Sequence, residues 1–197
     1  MSTQDTTLED TLDAMAKDAK GDTTSLGTIL DDLERRGFGP FIAMLSAFVI
    51  LPTGAIPGVP ALIGLALILF AGQILFGRKK PWFPQRLRDI EISSEKIDSA
   101  VEKARPWAQK VSRMLRARLE WLAIGPVATT LIAAATCVTA ALLIPLGFIP
   151  LLPFVFGMNL LFFGLGLMAR DGLVVAFGYL TFAAGLFTAI TQSGSFF

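Results

Sequence analysis

The chain has 197 residues, 53% of them hydrophobic, with a mean hydropathy of +0.63 and a formal net charge of +1. Charged residues make up 17%, against about 25% in ordinary soluble domains, and residues 37–77, 125–169 and 172–197 contain no Asp, Glu, Lys or Arg at all. Apolar blocks of that length read as membrane-embedded segments and exclude a soluble globular domain, while the absence of histidine removes the commonest general base and imidazole metal ligand.

The first zone, residues 1–36, is acidic, with nine carboxylates against four bases. It has no apolar h-region of a secretory signal, so membrane insertion is expected to be directed by the internal segments. Leu8, Leu12, Met15 and Ala19, then Leu26, Ile29, Leu30 and Leu33, recur at helical spacing. They predict short amphipathic cytoplasmic helices, with Ser25 as an N-cap and Gly37 as a stop.

The second zone, 37–77, predicts a helix over 41–51, a break at Pro52, Gly54, Pro57 and Pro60, and a second helix over 61–77. The third zone, 78–120, carries twelve Lys or Arg against six acids. Within it, Ser94 can cap a helix whose stripe is Ile97, Val101, Ala104, Ala108, Val111, Leu115 and Leu119. Pro106 would kink that helix, and Trp107 and Trp121 stand at its edge. With Arg78, Lys79, Lys80, Trp82, Lys103, Arg113 and Arg116 it suits the headgroup plane of an anionic inner leaflet. Lys- and Arg-rich short loops stay in the cytoplasm, which places 78–120 there.

The fourth zone, 121–170, repeats the second, with a helix over 126–144, a break at Pro145, Gly147, Pro150 and Pro153, and a helix over 154–169. A last segment, 171–197, contains one further transmembrane helix. Both breaks read P-x-G-x-I-P-x-x-P, as PTGAIPGVP and PLGFIPLLP, at a constant offset of 93 residues that also aligns Gly64 with Gly157 and Phe70 with Phe163. Repeated discontinuous helices are a common way of building transporter cores. About 20 residues are needed to cross the hydrocarbon, so the short first run fits either a re-entrant hairpin or two short tilted spans. Helix N-termini after Pro60 and Pro153 would turn positive dipole ends inward. Equally, the two breaks are simple interhelical turns that bind nothing.

Gln73 and Asn159 are the notable amides in the apolar blocks and read first as interhelical hydrogen-bonding groups, with lining of a polar pathway as the alternative. Arg170 and Asp171 read as a mutually compensating pair at a helix end, and Asp171 is the best candidate for coupling to a proton or cation. Gly164, Gly166 and Ala169 make a small-residue face. Cys137 reads as a packing residue, with no disulfide or thiolate metal site. There is no phosphate-binding loop, zinc-protease motif or nucleophile elbow, so no enzyme, cofactor, metal or nucleic-acid partner is expected.

The run LPTGAIPGVPALIGLALILFAGQILFGRKKPWFPQRL resembles the signature of the ExoD-type exopolysaccharide-synthesis membrane proteins of bacteria. There a proline-rich turn precedes an apolar helix ending in A-x-Q-x-x-x-G-R and then P-W-x-P. Ala71, Gln73, Gly77, Arg78, Pro81, Trp82 and Pro84 match it, as do the second break and a late G-L-x-x-x-D-G (Gly166, Leu167, Asp171, Gly172). The resemblance runs from about Ser25 to the C-terminus and leaves the acidic tail outside. It implies a role in exopolysaccharide production and carries no settled biochemical activity. The expectation is therefore an all-α integral membrane protein of the bacterial inner membrane, homodimeric and transporter-like. The alternative is a non-transporting structural or regulatory subunit of the polysaccharide machinery.

Overall fold

A computed structural model describes residues 23–25, 27, 30–31, 37–51, 56, 58–78, 80–85, 89, 91–93, 99, 102, 106, 109–111, 113, 115–147 and 152–193. Five apolar helices dominate them: α1 (Gly39–Ile50), α2 (Val59–Leu75), α3 (Pro126–Leu146), α4 (Leu152–Ala169) and α5 (Gly172–Ser193). By length and composition α3, α4 and residues 172–191 of α5 can cross a bilayer, whereas α1 has 12 residues and α2 has 17. Prolines start four of the five helices. Pro40, Pro60, Pro126 and Pro153 all lie at the first or second helical position, where the missing N–H costs no ladder bond.

Gly64 and Gly39 show how the helices are paired. A β-carbon on Gly64 would stand 2.7 Å from the Ala140 carbonyl oxygen, and one on Gly39 would stand 2.8 Å from the Met168 backbone nitrogen. Thus α2 lies along α3, and α1 lies along α4. Both pairs are antiparallel. Gly39 meets the end of α4 while Gly157, near its start, meets Val49 and Ile50 at the end of α1; likewise Pro60 opens α2 against Gly147 at the close of α3. The helix α5 then folds back on α4, with Gly166 against Val175, Gly178 against Phe163 and Gly185 against Phe156. Lipid tails are as apolar as leucine, so such contacts draw on close packing through small residues rather than on water exclusion. The outer faces are left apolar: Leu62, Leu65, Leu69, Leu180, Phe187 and Ile190 are all exposed, as lipid-facing positions should be.

Consequently α1 and α3 point one way and α2, α4 the other, and both breaks fall at the same end of the bundle. Val49, Leu143, Leu152, Phe156 and Ala189 form one buried cluster at that end. The opposite end gathers the start of α1, the end of α2, the start of α3 and the α4–α5 junction.

Three features depart from the sequence expectation. A short antiparallel ribbon joins β1 (Thr23–Ser25) to β2 (Glu91–Ser93), pairing Thr24 with Ile92, so the acidic N-terminal zone and the basic zone are tied together on one side. Pro145 does not break the helix. It lies inside α3, which runs on to Leu146 with Gly147 as its C-cap, because proline's fixed φ is helical and only one ladder bond near the end is lost. The basic-zone helix does not reach Leu119. Lys110 and Val111 are helical, but residues 115–118 are irregular and Leu119 is left-handed at φ 48°, half exposed. Its Val111, and Leu115 beyond it, pack on Ala43, Leu165 and Met168 of the bundle itself. The remaining stripe residues expected there, Ile97, Val101, Ala104 and Ala108, and the cap Ser94 lie outside the described residues.

Candidate functional site

The break end comes first. Within it Ile56 is exposed, its carbonyl accepting the Val59 N–H at 3.1 Å, and Gly58 is left-handed at φ 91°. A β-carbon at Gly147 would stand 3.0 Å from Pro60 Cβ, so the glycine of the second template lies against the last proline of the first. Pro153 is buried in the first turn of α4. Pro52, Gly54, Pro57 and Pro150 lie outside the described residues.

Midway along the bundle, Asn159 is fully buried. The Thr139 hydroxyl donates to its Oδ1 at 2.9 Å, and its Nδ2 donates to the Gly178 carbonyl at 2.7 Å. One amide therefore bridges α3, α4 and α5, which is the interhelical role its position suggested. The nearby Thr136 is fully buried too, and among the described residues its hydroxyl is the buried side-chain group without a partner. Neither threonine stood out in the sequence. A hydroxyl inside an apolar helix ordinarily bonds back to its own carbonyls, and only the register between α3 and α4 shows that Thr139 does not.

At the opposite end, Gln73 is strapped to a loop rather than to a helix. Its Nε2 donates to the Trp82 carbonyl at 3.2 Å and its Oε1 accepts the Trp82 N–H at 2.7 Å. That clamp holds the segment after α2 so that Phe83 enters a cluster with Phe41 and Phe70, at ring-centroid distances of 4.8 and 5.1 Å. It also sets the Arg78 guanidinium 5.8 Å from the Trp82 ring centroid. Arg78, Lys80, Trp82, Arg113 and Arg116 are exposed, while Lys79, Lys103 and Trp107 lie outside the described residues. Trp121 is exposed.

Asp171 is 2% exposed and caps α5. Its Oδ1 accepts the Leu173 and Val174 N–H groups at 3.0 and 3.4 Å, and its Oδ2 accepts the Arg116 N–H at 3.0 Å. No ion pair with Arg170 forms, because the carboxylate is aimed at backbone donors instead. The neighbouring Gly172 donates to the Arg118 carbonyl at 2.7 Å and has no room for a side chain, since a β-carbon there would collide with the Leu119 carbonyl. The G-L-x-x-x-D-G signature is thus a seat on which the end of the basic zone docks.

Comparison with known proteins bears out the family resemblance. A family described as "Exopolysaccharide synthesis, ExoD" matches residues 8–191, so the shared region takes in most of the acidic tail and does not begin near Ser25. The chain is 35% identical over 173 residues to Protein ExoD of Rhizobium meliloti (strain 1021), covering 87% of this chain and 71% of that protein. It is 25% identical over 167 residues to the uncharacterized protein slr1875 of Synechocystis, covering 84% and 77%. No solved structure matches.

Proposed function

The chain belongs to the ExoD family of exopolysaccharide-synthesis proteins, and on that premise we propose that it is a multi-pass protein of the bacterial inner membrane that supports the synthesis or export of exopolysaccharide through a transporter-like core. The observation that carries the transporter-like reading is the exchange of partners between the two halves. Under the 93-residue offset α1 corresponds to α3 and α2 to α4, and the dominant pairs are α1 with α4 and α2 with α3. Each half packs its first helix on the second helix of the other. Two hairpins that cross in this way are related by an axis along the helices, the parallel form of internal repeat known from transporters. In this reading the contact of Pro60 with Gly147 joins the start of α2 to the end of α3 near that axis. The basic zone lies on the cytoplasmic side, as its lysines and arginines favour, and the ribbon goes with it.

The alternative is a non-transporting structural or regulatory subunit, and one observation favours it. Gln73, Asn159 and Asp171 all spend their polar groups on holding the fold. Two measurements separate the readings. Secreted polymer is weighed in cells lacking the chain and in cells given it back, and purified protein in liposomes is assayed for movement of a polyprenyl-linked saccharide. Restored polymer with saccharide movement supports the transporter-like reading. Restored polymer without movement leaves the subunit reading, and polymer output that does not depend on the chain sinks both. A homodimer is part of the proposal, and the particle mass in detergent tests it.

A further inference from the structure

At the end opposite the breaks, a cavity of about 590 Å³ opens between the termini of four helices. That volume is within the range of small-molecule sites. Its lining contains three pairs of residues related by the 93-residue offset: Gly37 with Thr130, Ile74 with Leu167, and Gly77 with Arg170. The cavity therefore lies where the two halves meet. Its wall is apolar at Ile74 and Leu167, and its charge comes from Arg78 and Arg170. No carboxylate lines it among the described residues, and neither guanidinium has an acidic partner there.

Arg170 is the informative member. It sits just past the end of α4 at φ 54°, and its counterpart Gly77 sits just past α2 at φ 78°. The turns are the same. The Arg78 N–H reaches the Gln73 carbonyl at 2.9 Å, and the Asp171 N–H reaches the Gly166 carbonyl at 3.0 Å, each the sixth residue bonding the first. Glycine is the residue such a turn favours, and the second half has placed an arginine there. A side chain in that conformation is disfavoured against glycine, which directs attention to what the guanidinium does.

We infer that this cavity binds a phosphate group, held by Arg78 and Arg170, with the remainder of the ligand against the Ile74 and Leu167 wall. Guanidinium suits the site because its fork of donors matches phosphate oxygens and it sheds water more readily than an ammonium. The group could come from a lipid headgroup at the membrane surface or from a soluble phosphate, and the chemistry at the arginines is common to both. This site is independent of the exopolysaccharide reading and adds a ligand to the end of the bundle remote from the breaks.

The test uses the full chain purified in detergent, with bound lipid counted by native mass spectrometry. The probes are dioleoyl phosphatidic acid and dioleoylglycerol, which differ by the phosphate. Phosphatidic acid should be retained and dioleoylglycerol should not. Arg170→Gly should weaken retention about tenfold or more, the size expected from losing a charge-assisted hydrogen bond, with no fall in thermal midpoint. Arg78→Gln, at an exposed position, should act in the same direction and carries the test should the first variant fold poorly. Displacement by inorganic phosphate would assign the site to a soluble ligand, and resistance to it would assign a lipid; either result upholds the phosphate site. Equal retention of both lipids, or unchanged retention of phosphatidic acid in the folded variants, would overturn it. A variant that loses phosphatidic acid yet restores polymer output would leave the site standing and sever it from the proposed function.

Discussion

The α1–α2 and α3–α4 halves close their second helices with the same turn and open them with proline at the same position, yet they spend matched positions differently. Where the second half has Gly164, the first has Ala71; where the second has Asn159, the first has Ala66; where the second has Arg170 and Asp171, the first has Gly77 and Arg78. The turns that close α2 and α4 share their backbone hydrogen bond while the side chains at the matched positions differ, and among the described residues only α4 is followed by a packed helix, α5. That helix supplies the reason. Asn159 and Asp171 both serve contacts to α5 or to the segment that docks beside it, and the first half has no equivalent neighbour.

Gly164 offers the most severe test of this division. A β-carbon there would overlap the backbone nitrogen of Ala43 and come within 2.7 Å of its Cα, so α1 would have to move off α4. Gly164→Ala should cost about 3 kcal/mol, read as a fall in the thermal midpoint in detergent. The matched Ala71 is fully buried and already accommodates its methyl group, so Ala71→Gly should cost only about 1 kcal/mol, mostly in helix propensity. Equal losses would show that the two interfaces are not packed as differently as these contacts indicate.

Asp171→Ala comes next. It strips the acceptor from three backbone N–H groups, two in the first turn of α5 and one from Arg116, and should cost about 2 kcal/mol. Asp171→Asn keeps an acceptor and should recover part of the loss. At the matched position, Arg78→Ala removes a contact with Trp82 but leaves the Arg78 N–H in its turn. Its cost should stay near about 0.5 kcal/mol, the scale of an exposed cation–π pair. Backbone exchange protection at Leu173 and Val174 should fall in the Asp171 variant and not in the Arg78 variant.

Asn159→Ala should have a smaller effect than its burial suggests. It removes two interhelical hydrogen bonds, but the Thr139 hydroxyl can turn back to its own helix, and such bonds in membranes average about 0.6 kcal/mol each. A loss of about 1 kcal/mol, with looser packing of α5 seen in exchange at its middle turns, is expected. A loss several times larger would mean that the amide organises all three helices and is more than a local tie.

Much of this division was legible in the sequence. Blocks without charge located the first four helices to within about two residues at each end, because in a bilayer the apolar run and the helix are nearly the same thing. The 93-residue offset was legible at the prolines and at Gly64 and Gly157. What was hidden is what depends on register between helices. Gln73 looked like an interhelical amide because nothing local says that Trp82 folds back beneath it. Asp171 looked like a titrating or pairing group because its acceptor role needs Arg116, which lies 55 residues away. Pro145 looked like a breaker because a template places it beside Pro52, and proline within the last turn of a helix cannot be told from proline just after it. The ribbon between residues 23–25 and 91–93 joins two segments that each carry only three paired residues, too few for an alternating pattern to declare itself.

The most discriminating comparison sets a glycine against an arginine at matched positions. Gly77 and Arg170 occupy matched left-handed positions, where a side chain costs roughly 1 kcal/mol against glycine. Gly77→Ala should therefore lower stability by roughly 1 kcal/mol, and Arg170→Gly should raise it by a similar or smaller amount. Part of that gain is offset, because glycine gives the unfolded chain more freedom. Were Arg170 simply tolerated on the surface, the glycine variant would melt higher and retain phosphatidic acid unchanged. A variant that melts higher but no longer retains phosphatidic acid shows instead that the second half gives up stability to hold a guanidinium at the cavity. If Arg170→Gly melts lower, the arginine makes stabilising contacts of its own, and the strain at φ 54° is already compensated within the fold.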